Sequence, residues 1–441
     1  MSTATLEPTT TTAAPAPGTT AGPSHIAGLR CRACGRPDEI GPNFVCTACF
    51  GPLEVVYDYD VARERLTRET IAARPATIWR YLELLPVDAA PARGLAVGST
   101  ALVDAGRLAA DLGIAKLHLK DDTRNPTLSF KDRVVAVAVA RAVEFGFDTI
   151  ACASTGNLAG ATAAAAAAAG LRAFVFVPSD LEPAKIDHAL SYGATVVRVD
   201  GTYDDINRLG LEIADEEGWA FVNVNLRPFY AEGSKTLAFE IAEQLNWRLP
   251  DVLVGPIASG SLFTKVAKGF DELAAIGLIE RKEVRFVGGQ PAGCAPVATA
   301  FATGGEIVPV RRPDTIVRSL AIGSPADGAY AIELATRTGG SIEAIEDAVT
   351  AATIRHVATT EGIFVETAGG VTVAAAAQAR AKGIIRDGDE VVALLTGNGL
   401  KTPDARRFGT VDADTADPEL APPIAPTYSA FAGRYGAAAG G

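Results

Sequence analysis

Lys131 sits in the segment Asn125-Pro-Thr-Leu-Ser-Phe-Lys-Asp-Arg133, after an alternating strand and a proline-containing loop, at the start of a helix. Ser129 is placed to cap that helix. A lysine at a helix N-terminus meets the positive end of the dipole, a penalty that falls if the amine is neutral or condensed into an imine. Desolvation and a nearby positive potential make imine-forming lysines in this way. Taken alone, a lysine at a helix start is more often a solvated surface residue, so the other loops of the chain must decide.

Three of these loops bear on it. Ser154-Thr155-Gly156-Asn157 lies between an apolar strand and an Ala-rich helix, and such a turn offers backbone N–H groups to a carboxylate or phosphate. Ile257-Ala258-Ser259-Gly260-Ser261 is a second strand-to-helix turn of small residues, a natural phosphate cradle. Thr396-Gly397-Asn398-Gly399-Leu400-Lys401 ends an apolar strand, where ligands of open α/β sheets bind and a hydroxyl could meet a ligand ring. Each alone reads equally well as an ordinary turn. None carries a P-loop lysine or a complete Gly-x-Gly-x-x-Gly, which disfavours a nucleotide enzyme.

A further cluster is Cys31-x-x-Cys34 and Cys46-x-x-Cys49, with eleven residues between the pairs. Two such knuckles are the usual source of a tetrahedral four-cysteine zinc site, here expected to be structural. A redox pair is the weaker reading without a surrounding βαβ pattern. The four histidines (His25, His118, His188, His356) are scattered, which argues against a Ser-His-Asp triad or a His-rich metal centre.

The elements that must position these residues follow a βαβ rhythm. Strands are predicted at Lys116–Lys120, Thr149–Ala153, Ala173–Val177, Thr195–Val199, Ala220–Val224, Asp251–Val254, Val284–Val287 and Glu390–Leu395. Asp132–Phe145 is predicted as a helix, and the Ala163–Ala169 run as part of a helix packed closely on a sheet. Apolar strands separated by helices imply parallel sheets covered on both faces. Residues 1–25, rich in Thr, Ala and Pro, are expected to be a disordered tail. Residues 26–60 form a zinc-ribbon-like module, 61–420 the α/β body, and 421–441 a flexible tail.

Charged residues make up 21% of the 441 and the formal charge is −12, which argues against non-specific binding to nucleic acid or an anionic membrane. The uncharged run between Asp148 and Arg172 is made of Ala, Gly, Ser, Thr and Asn, which gain little in lipid. With no signal-like N-terminus, the chain reads as cytoplasmic.

Together, the Asn125–Arg133 segment, Ala153-Ser-Thr-Gly-Asn157, the Ser259-Gly-Ser261 loop and Thr396-Gly-Asn-Gly-Leu-Lys401 occur in the order and spacing of threonine synthase, which this chain resembles from about residue 30 to 410. Asn225-Leu-Arg-Pro-Phe-Tyr-Ala-Glu-Gly-Ser-Lys-Thr236, Ala321-Ile-Gly-Ser-Pro-Ala326 and Glu361-Gly-Ile-Phe364 extend the likeness. The resemblance implies the fold type II architecture of pyridoxal-phosphate (PLP) enzymes, shared with tryptophan synthase β: two doubly wound lobes with the cofactor between them. It implies that Lys131 binds PLP as a Schiff base, that Asn157 meets its 3′-oxygen, that Ile257, Ala258, Ser259, Gly260 and Ser261 wrap its phosphate, and that Thr396 meets its pyridine nitrogen.

The implied reaction converts O-phospho-L-homoserine and water to L-threonine and phosphate by γ-elimination and β-hydration, and the implied assembly is a homodimer. For the substrate phosphate the candidates are Lys120, Arg227 and Lys235, with the hydroxyls of Thr127, Ser129, Ser154 and Thr155. Three departures from the commonest family pattern stand out. Leu128 replaces a glycine, Ile-Ala-Ser-Gly-Ser replaces Gly-Asn-x-Gly-Asn, and Glu366-Thr-Ala-Gly-Gly370 replaces a Glu-Pro-Ala-Ser-like segment. The rival readings are cysteate synthase, which acts on O-phosphoserine, and, in a different class, a zinc-ribbon binding protein on an α/β scaffold.

Overall fold

The structure, a computed structural model, describes residues 24–408 (apart from 44, 155, 180, 182 and 202) and 422–435. Near the N-terminus, β1 (Ile26–Cys31), β2 (Pro37–Asp38) and β3 (Leu53–Tyr57) form an antiparallel sheet in the order β2-β1-β3. The tail expected over residues 1–25 falls outside the described residues except for Ser24 and His25. His25 is buried, its Nε2 3.1 Å from the Leu85 carbonyl.

Two parallel-rich sheets build the body. The larger contains β4 (Leu102–Asp104), β5 (Lys116–Asp121), β10 (Val252–Pro256), β11 (Arg285–Pro291), β12 (Ser341–Ile345) and β13 (Glu390–Leu395). Their order is β12-β11-β10-β13-β5-β4, parallel except for β4, which runs antiparallel to β5 on the edge. The smaller sheet holds β6 (Thr149–Ala153), β7 (Arg172–Pro178), β8 (Thr195–Val199) and β9 (Ala220–Phe221), all parallel, in the order β8-β7-β6-β9. The small lobe is thus inserted between two strands of the large one.

Every residue of β6 and β13 is buried, which is why both are apolar beyond their first residues, Thr149 and Glu390. The Ala-rich helix Asn157–Ala169 lies against the small sheet; a Cβ at Gly160 would come within 2.2 Å of the His188 ring. β4 and β12 went unpredicted, because one is three residues long and the other mixes Ser and Glu with Ile. β9 is two residues long and not five, since the chain turns at Val222. A short helix, Tyr428–Tyr435, lies where a loose tail was expected. Among the described residues no helix is long and apolar enough to cross a membrane.

Candidate active site

Between the lobes lies a cavity of about 380 Å³, within the usual size for a small-molecule site. It is reached by the C-terminal ends of β6, β10 and β13, as the strand-end rule requires.

Lys131 opens the helix Lys131–Glu144 and lines this cavity. Ser129 does not cap the helix: the cap position is Phe130, and the buried Ser129 hydroxyl has no hydrogen-bond partner. The backbone fixes the helix start instead. Phe130 N–H donates to the Thr396 carbonyl (2.9 Å), and Asn398 N–H donates to that of Leu128 (3.0 Å). On the far side, Glu366 N–H donates to the Gly397 carbonyl at 2.9 Å. Three segments, 128–130, 396–398 and 364–366, therefore lie side by side, so Lys131 and Thr396 are registered to each other. Leu128 stands at φ +61°, a left-handed conformation costly for a residue with a Cβ, where glycine would fit without strain.

Lys131 Nζ donates to the Tyr230 hydroxyl at 2.9 Å. Burial pushes the amine below its ordinary value, with the negative potential of nearby tyrosine and glutamate groups opposing the shift. A neutral, nucleophilic amine is what imine chemistry needs.

The other predicted members of the cofactor site converge as well. Asn157 opens its helix at the cavity and donates from Nδ2 to Glu366 at 2.8 Å. Thr396 is buried and its hydroxyl faces the same carboxylate at 3.4 Å. Ala258, Ser259, Gly260 and Ser261 line the cavity at the start of the helix Ser261–Ala275, a terminus of the kind that suits an anion. Gly260 is at φ +96° and an added Cβ would lie 2.6 Å from the Asp327 carbonyl oxygen, so no larger residue fits. Ile257 is not at the cavity wall; it is fully buried against Gly288, where a Cβ would lie 2.3 Å from its Cδ1.

The expected phosphate-binding set divides. Arg227 and Ser154 line the cavity. The Ser154 hydroxyl accepts from Gly156 N–H (3.1 Å) and Ala159 N–H (3.0 Å), so it holds the first turn of the helix, whose cap residue is Gly156. Lys120 lies away from the cavity with its amine fully buried, bonded to Glu240 and Gln244 at 2.7 and 2.9 Å. Lys235 is likewise fully buried, paired with Glu232 (2.5 Å) and Glu272 (2.7 Å). Thr127 donates to Asp132 at 2.6 Å and is buried. Lys120, Lys235, Thr127 and Ser129 are therefore not among the residues that line this cavity. Thr155 lies outside the described residues.

Several residues at the site were not predicted. Glu366 bridges Asn157 and Thr396, and burial raises its carboxyl. A Cβ at Gly397 would lie 2.3 Å from Glu366 Oε1, which explains the glycine after Thr396. A small hollow of about 20 Å³ adjoins the cavity at Asn157 and Glu366, lined by Lys185, Arg318 and Lys401. The Glu366 segment departs from the family pattern, and Tyr230 lies inside Asn225–Thr236; only the folded cavity gives them a place.

In the N-terminal module the four sulfurs of Cys31, Cys34, Cys46 and Cys49 lie within 4.8 Å of one another. Cys31 to Cys49 is 3.5 Å and Cys34 to Cys46 is 3.8 Å. A tetrahedral ion with Zn–S bonds of about 2.3 Å requires sulfurs roughly 3.8 Å apart, so the donor set fits zinc. The Cys31 thiol is drawn down to about 7, chiefly by the Cys34 N–H.

Comparison with known proteins agrees with this geometry. The profile of the family described as pyridoxal-phosphate dependent enzyme matches residues 94–397. The chain belongs to that family. Its relatives within it include the threonine synthase of Methanocaldococcus jannaschii, 36% identical over 379 residues, spanning 85% of this chain and 93% of the relative. The threonine synthase of Mycobacterium tuberculosis is 37% identical over 333 residues, 75% of this chain and 89% of the relative. Among solved structures, the processed form of threonine deaminase isoform 2 from Solanum lycopersicum superposes with a TM-score of 0.61 at 20% identity, covering 89% of this chain and 98% of that one. Diaminopropionate ammonia lyase from Escherichia coli gives 0.60 at 19% identity, covering 79% and 91%. At these identities the structures establish the shared fold. The residues present suit the cofactor, since a buried amine, an amide, a hydroxyl and a helix N-terminus all face one cavity.

Proposed function

We propose that this chain is a threonine synthase, converting O-phospho-L-homoserine and water to L-threonine and phosphate. The observation that carries the reading is one cavity joining Lys131 to Asn157, the 258–261 loop and Thr396, in a chain whose threonine synthase relatives span most of its length. Lys131, Asn157, Ala258–Ser261 and Thr396 would hold pyridoxal phosphate, which when bound supplies an electron sink for negative charge developing on substrate carbon.

Lys131 Nζ, depressed by burial, takes a proton from the substrate Cα and serves as acid and base thereafter. The Tyr230 hydroxyl orients that amine by accepting its hydrogen bond. Arg227 on the cavity wall, and Lys185, Arg318 and Lys401 around the adjoining hollow, supply the positive field that orients the substrate phosphate. A second proton leaves Cβ as phosphate leaves Cγ; Cγ then takes a proton, water adds its hydroxyl at Cβ, and Cα regains its proton. The four-cysteine cluster holds a structural zinc ion that stabilises a module too small for its own core.

The test is release of phosphate and threonine from O-phosphohomoserine with and without added PLP, beside turnover of O-phosphoserine with sulfite. PLP-dependent threonine formation supports the reading. Turnover only of O-phosphoserine with sulfite replaces it with cysteate synthase.

A further inference from the structure

Arg32 sits inside the first cysteine knuckle, between Cys31 and Cys34, with its N–H bonded to the Pro52 carbonyl at 2.9 Å. Its side chain leaves the module. Arg32 Nη1 donates to Asp327 Oδ1 at 3.1 Å, and its guanidinium lies 3.7 Å above the Tyr330 ring. The other oxygen of Asp327 accepts from Arg227 Nη2 at 2.8 Å, and Arg227 lines the cavity. Asp327 N–H also donates to the Ser259 carbonyl at 2.8 Å, and the Asp327 carbonyl is the group pressed against Gly260. One buried aspartate thus joins the cysteine knuckle, the cavity arginine and the anion cradle.

We propose that Arg32 is a positioning residue for the cavity's anion site, tying the cysteine cluster to the 259–261 cradle through Asp327 and Arg227. The inference rests on the reading that this cradle takes the cofactor phosphate. Two guanidiniums share one carboxylate, so the trio carries one positive charge in excess beside the cradle. Without Arg32, Asp327 neutralises Arg227 alone and loses the stacked partner that fixes its orientation. Both changes lower affinity for a phosphate, and neither affects a ligand without one. Because Arg32 is carried between two cysteines, loss of order in the cluster removes the same contact.

The experiment titrates the cofactor-free full-length chain with PLP and, separately, with pyridoxal, following the visible band of the bound ring. Arg32→Ala weakens PLP binding roughly three- to ten-fold, as expected for a partly shielded ion pair, and leaves pyridoxal binding unchanged. Arg32→Lys, which keeps the charge without the planar fork, falls between wild type and Arg32→Ala. Zinc content of each variant reports whether the cluster is intact; if Arg32→Ala loses it, Arg32→Lys carries the comparison. Equal weakening of PLP and pyridoxal, or no weakening of either, overturns the proposal. A wild-type chain that gives no band with PLP overturns the cofactor reading itself, and the proposal with it.

Discussion

Replacing Gly260 with alanine puts a methyl group where the structure leaves no room. The built Cβ lies 2.6 Å from the Asp327 carbonyl oxygen and 2.8 Å from its carbon, both backbone atoms that cannot swing aside. Reaching ordinary van der Waals contact requires the loop or Asp327 to move by about 0.8 Å, and φ of +96° adds strain of roughly 1–2 kcal/mol for any residue with a Cβ. The movement falls on the N–H groups that would hold the cofactor phosphate. A misplacement near 1 Å at such a site costs on the order of 100-fold in the function it supports. Gly260→Ala should therefore weaken PLP affinity by roughly 10- to 100-fold. The global loss of stability should stay at about 1–3 kcal/mol, because the strain is local. Titration of the visible cofactor band gives the first quantity, and chemical denaturation of the cofactor-free chain gives the second. Wild-type affinity in Gly260→Ala would refute the assignment of this loop to the phosphate.

Further outcomes follow from the same geometry. Lys131→Ala should lose both the visible band and turnover; retained turnover would show that another residue carries the chemistry. Because burial holds the Lys131 amine below its ordinary value, its neutral fraction at a given pH exceeds that of a solvated lysine. The rate of covalent PLP attachment should rise with pH and level off at a lower pH than for a solvated lysine, and a rate still climbing at 10.5 counts against a depressed amine. Lys120→Ala strips one cation from the buried Glu240 carboxylate and should cost about 3–5 kcal/mol in urea denaturation. A fall in substrate affinity without loss of stability would return Lys120 to the ligand set. Cys34→Ser removes one sulfur of the cluster and should expose residues 26–57 to proteolysis in the otherwise folded chain, an effect that a zinc chelator reproduces on wild type.

Much of the site is legible in the chain because its parts are local. Lys131, Asn157, the Ser259–Ser261 loop and Thr396 each sit where a strand or loop meets a turn or helix, and that punctuation is written in a few consecutive residues. The spacing of the four cysteines likewise needs no tertiary knowledge to suggest a tetrahedral ion. The helix at Lys131 starts within one residue of its expected place, but Ser129 does not cap it, since backbone pairing with Thr396 turns that hydroxyl inward.

Partnership between distant segments is not legible. Lys120 and Lys235 read in the sequence as cations free to meet a phosphate, and only the fold places Glu240, Glu232 and Glu272 against them. Sequence order also conceals that β5 pairs with β13, and that β10 joins the same sheet after the whole small lobe has intervened. Glu366 between Asn157 and Thr396, and Asp327 between Arg32 and Arg227, depend on those pairings. The sequence by itself determined which side chains have the right chemistry and which turns present them. Tertiary structure decided which charges are neutralised and which face the cavity, because burial and ion pairing depend on neighbours that local periodicity cannot specify.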